Sequence, residues 1–161
     1  MLRFLLLFLT THLLTANEHY LLPENRSDLL HSLQQKILRA QEITIVTSEL
    51  QSSMLKRGIE KAITKGVHFS LLTQNTESAG TFAKYKNSSI YLMPQSDRVH
   101  HLELMLLLID KSDLCYGSIA LNEKSMREVI SLITCTTNRE EIAFAQRSIA
   151  SYKKWFEPYN D

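Results

Sequence analysis

Residues 103–120 read ELMLLLIDKSDLCYGSIA. Leu102 to Ile109 is the most apolar stretch beyond the first residues of the chain, and it carries no polar alternation after Glu103. A short run apolar at every position fits a strand covered on both faces. Asp110-Lys111-Ser112-Asp113 has turn chemistry and returns the chain into a second strand, Leu114 to Ser118. The two strands form a hairpin expected at the centre of a sheet.

Upstream, Ile43 to Thr47 is a β-branched run too short for a helix. A helix follows through Met54, Leu55, Ile59, Ala62 and Ile63 and stops at Gly66, ahead of a strand from Val67 to Leu72. Strand, helix and strand within some thirty residues imply parallel pairing, and the class is α/β: a mixed sheet flanked by helices. Ser27 is placed to cap an earlier helix ending at Arg39, with Leu29, Leu30, Leu33, Ile37 and Leu38 on one side. After the second strand, a polar stretch from Thr73 to Ser78 leads to a weak helix at Thr81 to Tyr85, a strand at Ser89 to Met93 and a loop at Pro94 to Arg98. Beyond the hairpin, Val129 to Cys135 reads as a strand. Asn138 caps a closing helix with Ile142, Ala145, Ile149, Tyr152 and Phe156 at helical spacing.

The chain opens with Arg3 and an apolar run from Phe4 to Ala16, followed by polar residues. That pattern reads as a secretory signal, cut after Ala16, with an uncleaved anchor as the alternative because Leu14 is large for its place before the cut. The run is shorter than the ~20 residues of a membrane-crossing helix. Residues 17–161 then form one domain. Removing residues 1–16 takes away only Arg3, leaving 17 basic against 17 acidic residues. Such a neutral domain lacks the basic surface of a tight nucleic-acid binder, and Lys56, Arg57, Lys61 and Lys65 are spaced as a solvated helix face. Cys115 and Cys135 are the two cysteines, open to a disulfide or to two buried thiols, and neither has metal-ligand spacing around it.

The hairpin resembles the phospholipase D-like superfamily, whose motif HxKxxxxDxxxxxxGSxN is written on two such strands. Asp110, Gly117 and Ser118 match in spacing, whereas Glu103 stands for the histidine, Met105 for the lysine and Ala120 for the asparagine. The strand-helix-strand unit before it is similar to the family's. So is the tail, where Glu128 opens the strand after the Gly-Ser turn and a last helix ends in Lys154-Trp155-Phe156. The likeness runs from residue 23 to residue 156 and points to the single-motif, bacterial, exported nuclease-like branch.

In that family two motifs meet across a two-fold axis, one histidine attacking phosphorus and the other protonating the leaving oxygen. Such a nucleophile must be a neutral imidazole held by a carboxylate, and the lysine ammonium neutralises the phosphoryl oxygens. Met105 supplies no cation, and Glu103 sets a carboxylate where a phosphodiester must come. Like unit charges 4 Å apart repel by roughly 4 kcal/mol at an effective dielectric of 20. The resemblance with these replacements implies a phosphodiesterase fold without its chemistry, needing no cofactor and no metal. Such a chain would be a binding or assembly subunit, periplasmic or anchored at the periplasmic face of the inner membrane. It would pair through the former active-site face with a second copy or with an intact relative.

The alternative is a residual phosphodiesterase, an endonuclease or phospholipase, using His101, which lies two residues before Glu103 and so on the same strand face. Asp110 is expected to organise the turn, and Gly117 to be kept for a tight turn. Ser118, Asn122 and Glu128 are the residues expected to contact a bound group. Trp155 and Phe156 are expected to pack in the core or against a partner.

Overall fold

A computed structural model describes residues 17–94 and 101–159. The signal or anchor expected at residues 1–16, and all but Pro94 of the loop expected at 94–98, lie outside the described residues.

The elements are β1 (Glu18–Leu22), α1 (Arg26–Arg39), β2 (Glu42–Thr47), α2 (Ser53–Thr64), β3 (His68–Thr73), α3 (Thr76–Ala83), β4 (Ser88–Leu92), β5 (Met105–Ile109), β6 (Asp113–Gly117), α4 (Ser125–Glu128), β7 (Ser131–Thr136), α5 (Arg139–Tyr152) and β8 (Glu157–Pro158). One eight-stranded sheet runs β1-β7-β6-β5-β2-β3-β4-β8. β2, β3 and β4 pair in parallel and the remaining neighbours are antiparallel, giving the expected mixed sheet with the β5–β6 hairpin inside it.

Two cores account for the uninterrupted apolar run of the hairpin. Met105, Leu107 and Ile109 point to the side covered by α1, α2 and α3, packing with Leu33, Ile37, Leu55, Ile59 and Phe82. Leu106 and Leu108 point to the other side, under Ile142, Ala145 and Ile149 of α5 and Phe156 beyond it. A strand buried on both faces needs apolar residues at odd and even positions alike.

Several boundaries differ from expectation. β1 has no apolar pattern of its own, because Leu22 alone of its five residues is fully buried, and pairing with β7 holds it. Asn25, not Ser27, is the N-cap of α1, so Ser27 lies within the helix. α3 begins at Thr76 because the Asn75 side chain accepts the Ser78 N–H, turning the expected polar loop into helix. β5 starts at Met105, and residues 101–104 have no regular structure. His101 and Glu103 therefore do not share a strand face. Glu128 ends the short helix α4 rather than opening a strand, and β7 begins at Ser131. Asn138 caps α5 as expected, accepting the Glu140 and Glu141 N–H groups. Phe156 is buried in the second core, whereas Trp155 is mostly exposed.

Cys115 and Cys135 lie opposite each other on β6 and β7 and are joined in a disulfide. At the hairpin turn, Asp110 and Lys111 both take positive φ, 50° and 55°, and Ser112 N–H donates to the Ile109 carbonyl. A short polar side chain tolerates that conformation better than an apolar one. The Asp110 carboxylate accepts the backbone N–H groups of Gln41 and Glu42, each at 2.8 Å, and so fastens the turn to the start of β2.

Candidate functional site at the open end of the hairpin

Away from the turn, four neighbouring strands end in one row: Gly117 of β6, Met105 of β5, Thr47 of β2 and Thr73 of β3 stand side by side in register. The chemistry of this row is closed on itself. Met105 is 0% exposed and belongs to the first core. Thr47 Oγ1 donates to the Glu49 carbonyl and Thr73 Oγ1 to the Ser48 carbonyl, so both buried hydroxyls support the loop after β2. An isolated parallel β-bridge between Leu50 and Leu121 ties that loop to the one following the Gly-Ser pair.

Gly117 is fixed by space rather than by turn geometry, which corrects the expected tight-turn role. A Cβ there would lie 2.3 Å from Ile133 Cδ1 and 2.9 Å from the Leu132 carbonyl oxygen, so β7 can lie this close only to a glycine.

The other residues singled out in the sequence spread out from this row. Glu103 and Ser118 are exposed and Ala120 is half-buried. The Ser118 carbonyl accepts the Ser131 hydroxyl. His101 is exposed, and the irregular segment that carries it is tied down by Leu102 N–H donating to the Gln74 side chain. Asn122 is engaged within the protein: its amide donates to the Glu49 carboxylate and its carbonyl oxygen accepts the Ser125 N–H at the start of α4. Glu128 is exposed at the end of α4. Among the described residues no group of three or more His, Cys, Asp or Glu side chains could hold a metal ion.

One polar cluster was absent from the sequence reading. Glu123 joins Arg26 in an ion pair, accepts Ser53 N–H at 3.3 Å and the Ser53 hydroxyl at 3.4 Å, and has Arg127 at 3.8 Å. Burial alone would push its pKa up, but the Arg26 guanidinium, the bond from Ser53 and Arg127 together hold it below the usual carboxylate value. Arg26 and Glu123 stand 97 residues apart in the chain, so no local spacing signals the pair.

No protein-family model and no curated protein matches the sequence. Solved structures do. NucT from Helicobacter pylori superposes with a TM-score of 0.78 at 18% identity, over 90% of this chain and 99% of that one. Nuc from Salmonella typhimurium, a phospholipase D family member, superposes with a TM-score of 0.70 at 10% identity, over 91% and 99%. The fold is phospholipase D-like. A phosphatidylserine synthase from Haemophilus influenzae contains the same fold, with a TM-score of 0.66 at 12% identity, and this chain spans 40% of its length. Within the phospholipase D-like fold, the row of Gly117, Met105 and Thr47 occupies the open end of the β5–β6 hairpin.

Proposed function

We propose that this chain is a catalytically degenerate phospholipase D-like protein, acting outside the cytoplasm as a binding or assembly subunit rather than as a nuclease or lipase. The observation that carries this reading is the burial of Met105. Where the superfamily motif has its lysine, an uncharged thioether is sealed into the core, so no ammonium group is offered to a phosphoryl oxygen. Beside it, the exposed Glu103 adds negative charge, which disfavours a phosphodiester. Export is supported by the Cys115–Cys135 disulfide, since such bonds persist in oxidising compartments, and by the apolar run of residues 4–16. Among the described residues no helix is long and apolar enough to cross a membrane.

Pairing is part of the proposal, with a second copy or with an intact phospholipase D-like protein. Leu104, next to Glu103, opens an apolar groove of about 420 Å³ between β5, β6 and α5, lined also by Leu106, Tyr116, Phe144 and Tyr152. Phe144, Leu132 and Ile130 expose 66%, 59% and 81% of their surface. Apolar groups so exposed are typical of interaction surfaces. Native mass spectrometry of the purified chain, together with mass spectrometry of what co-purifies from its own host, tests this. A pair that Phe144→Glu dissociates supports the reading. A monomer with no phospholipase D-like partner would sink it.

A further inference from the structure

We propose that the pocket between the N-termini of α1 and α2 and the start of α4 is a binding site for a phosphomonoester. Arg26, Arg57 and Arg127 line a space of about 370 Å³ with Ser27, Ser53 and one acidic residue, Glu123. Three guanidinium groups face one carboxylate, leaving an excess of two positive charges in one concavity. That excess matches the dianion of a phosphomonoester and exceeds what a diester carries.

The donors are arranged for an anion. Glu123 takes up one terminal nitrogen of Arg26, but Arg26 Nε is buried and bonded to nothing among the described residues. With no accessible surface that nitrogen is not itself offered to a ligand, and Arg26 contributes its charge from a partly exposed side chain. Arg57 donates from Nε to the Ser53 carbonyl, which orients the guanidinium, while its terminal nitrogens meet no acceptor among the described residues. Arg127 reaches Glu123 only at 3.8 Å. α2 adds to this, because its first turn has no acidic residue and its N-cap Ser52 makes no side-chain capping bond. The positive end of that helix faces the pocket, with only the Ser53 N–H taken up by Glu123. Guanidinium forks and helix N–H groups together are the donors that hold phosphate oxygens. Arg57, read from spacing as part of a solvated helix face, is thus one wall of a concave site.

The site uses no residue of the motif strand, so it does not rest on the proposed loss of catalysis, and either can fail alone. Titration of ¹⁵N-labelled protein with inorganic phosphate is the first test, followed through the amides of Ser53, Met54 and Leu55. Saturable shifts are expected, weakened about tenfold or more by Arg57→Gln and by Arg127→Gln, both of which leave the Arg26–Glu123 pair in place and should keep the wild-type Tm. Glycerol 3-phosphate and a nucleoside 5′-monophosphate identify the carrier: whichever binds more tightly than inorganic phosphate names its class, and equal binding of all three assigns the site to the phosphate group itself. Dimethyl phosphate, a monoanion, should bind about tenfold more weakly. Absence of saturable shifts, unchanged binding by both variants, or equal binding of dimethyl phosphate would overturn the proposal.

Discussion

The two ends of the β5–β6 hairpin obey different constraints. At the turn, Asp110 holds two backbone N–H groups of the β2 entrance and accepts a left-handed backbone. Near the other end, Gly117 leaves room for β7. Both have a mechanical reason to be there that needs no substrate. In the proposed correspondence with the superfamily motif, Asp110 and Gly117 match, while Glu103, Met105 and Ala120 depart from it. On that proposal, the matches at Asp110 and Gly117 are accounted for by the strands that they hold together. Matches at Asp and Gly report the scaffold, whereas activity must be read from the imidazole and ammonium positions.

Substitutions at the two ends can break or sharpen this contrast. The largest effect is expected for Met105→Lys, which sets an ammonium group in a fully buried place. An uncompensated charge there should cost about 3 to 5 kcal/mol in urea unfolding, and a neutral outcome would mean that the open end is not sealed. Gly117→Ala should follow at about 3 kcal/mol, because the new Cβ meets the Leu132 carbonyl and Ile133. Asp110→Ala, measured in the same way, should cost about 2 kcal/mol as Gln41 and Glu42 lose their acceptor and an alanine is left at positive φ.

The smallest effect belongs to Glu123, which lies in the loop beyond the hairpin. Its folded pKa is depressed below the ordinary 4.5, so the stability it contributes is present above that value and is lost as the pH falls through the folded pKa. Glu123→Gln should flatten the acid limb of a stability-against-pH curve and leave its alkaline limb unchanged. An unchanged acid limb would mean that the Arg26 pairing does little for the fold.

What was legible in the sequence follows from the same physics. The hairpin, the β2-α2-β3 unit and α5 bury whole faces, so their apolar periodicity is written locally. β1 and α4 bury one residue each, Leu22 and Met126, and are held by neighbours distant in sequence. Nothing in their own residues announces them. The start of β5 was misplaced because Leu102 and Leu104 are as apolar as the strand, yet they serve the second core from an irregular segment. That removes the strand-face relation between His101 and Glu103. The Arg26–Glu123 cluster was invisible for the reason that hides most tertiary ion pairs: charge identity is local, but meeting is not.

Turnover of a chromogenic phosphodiester, bis(p-nitrophenyl) phosphate, by the purified disulfide-bonded protein bears most directly on the loss of catalysis. A sealed methionine and an exposed glutamate at the motif positions predict no release of nitrophenol above buffer, with wild type and His101→Ala indistinguishable. Sustained turnover that disappears in His101→Ala would contradict the account.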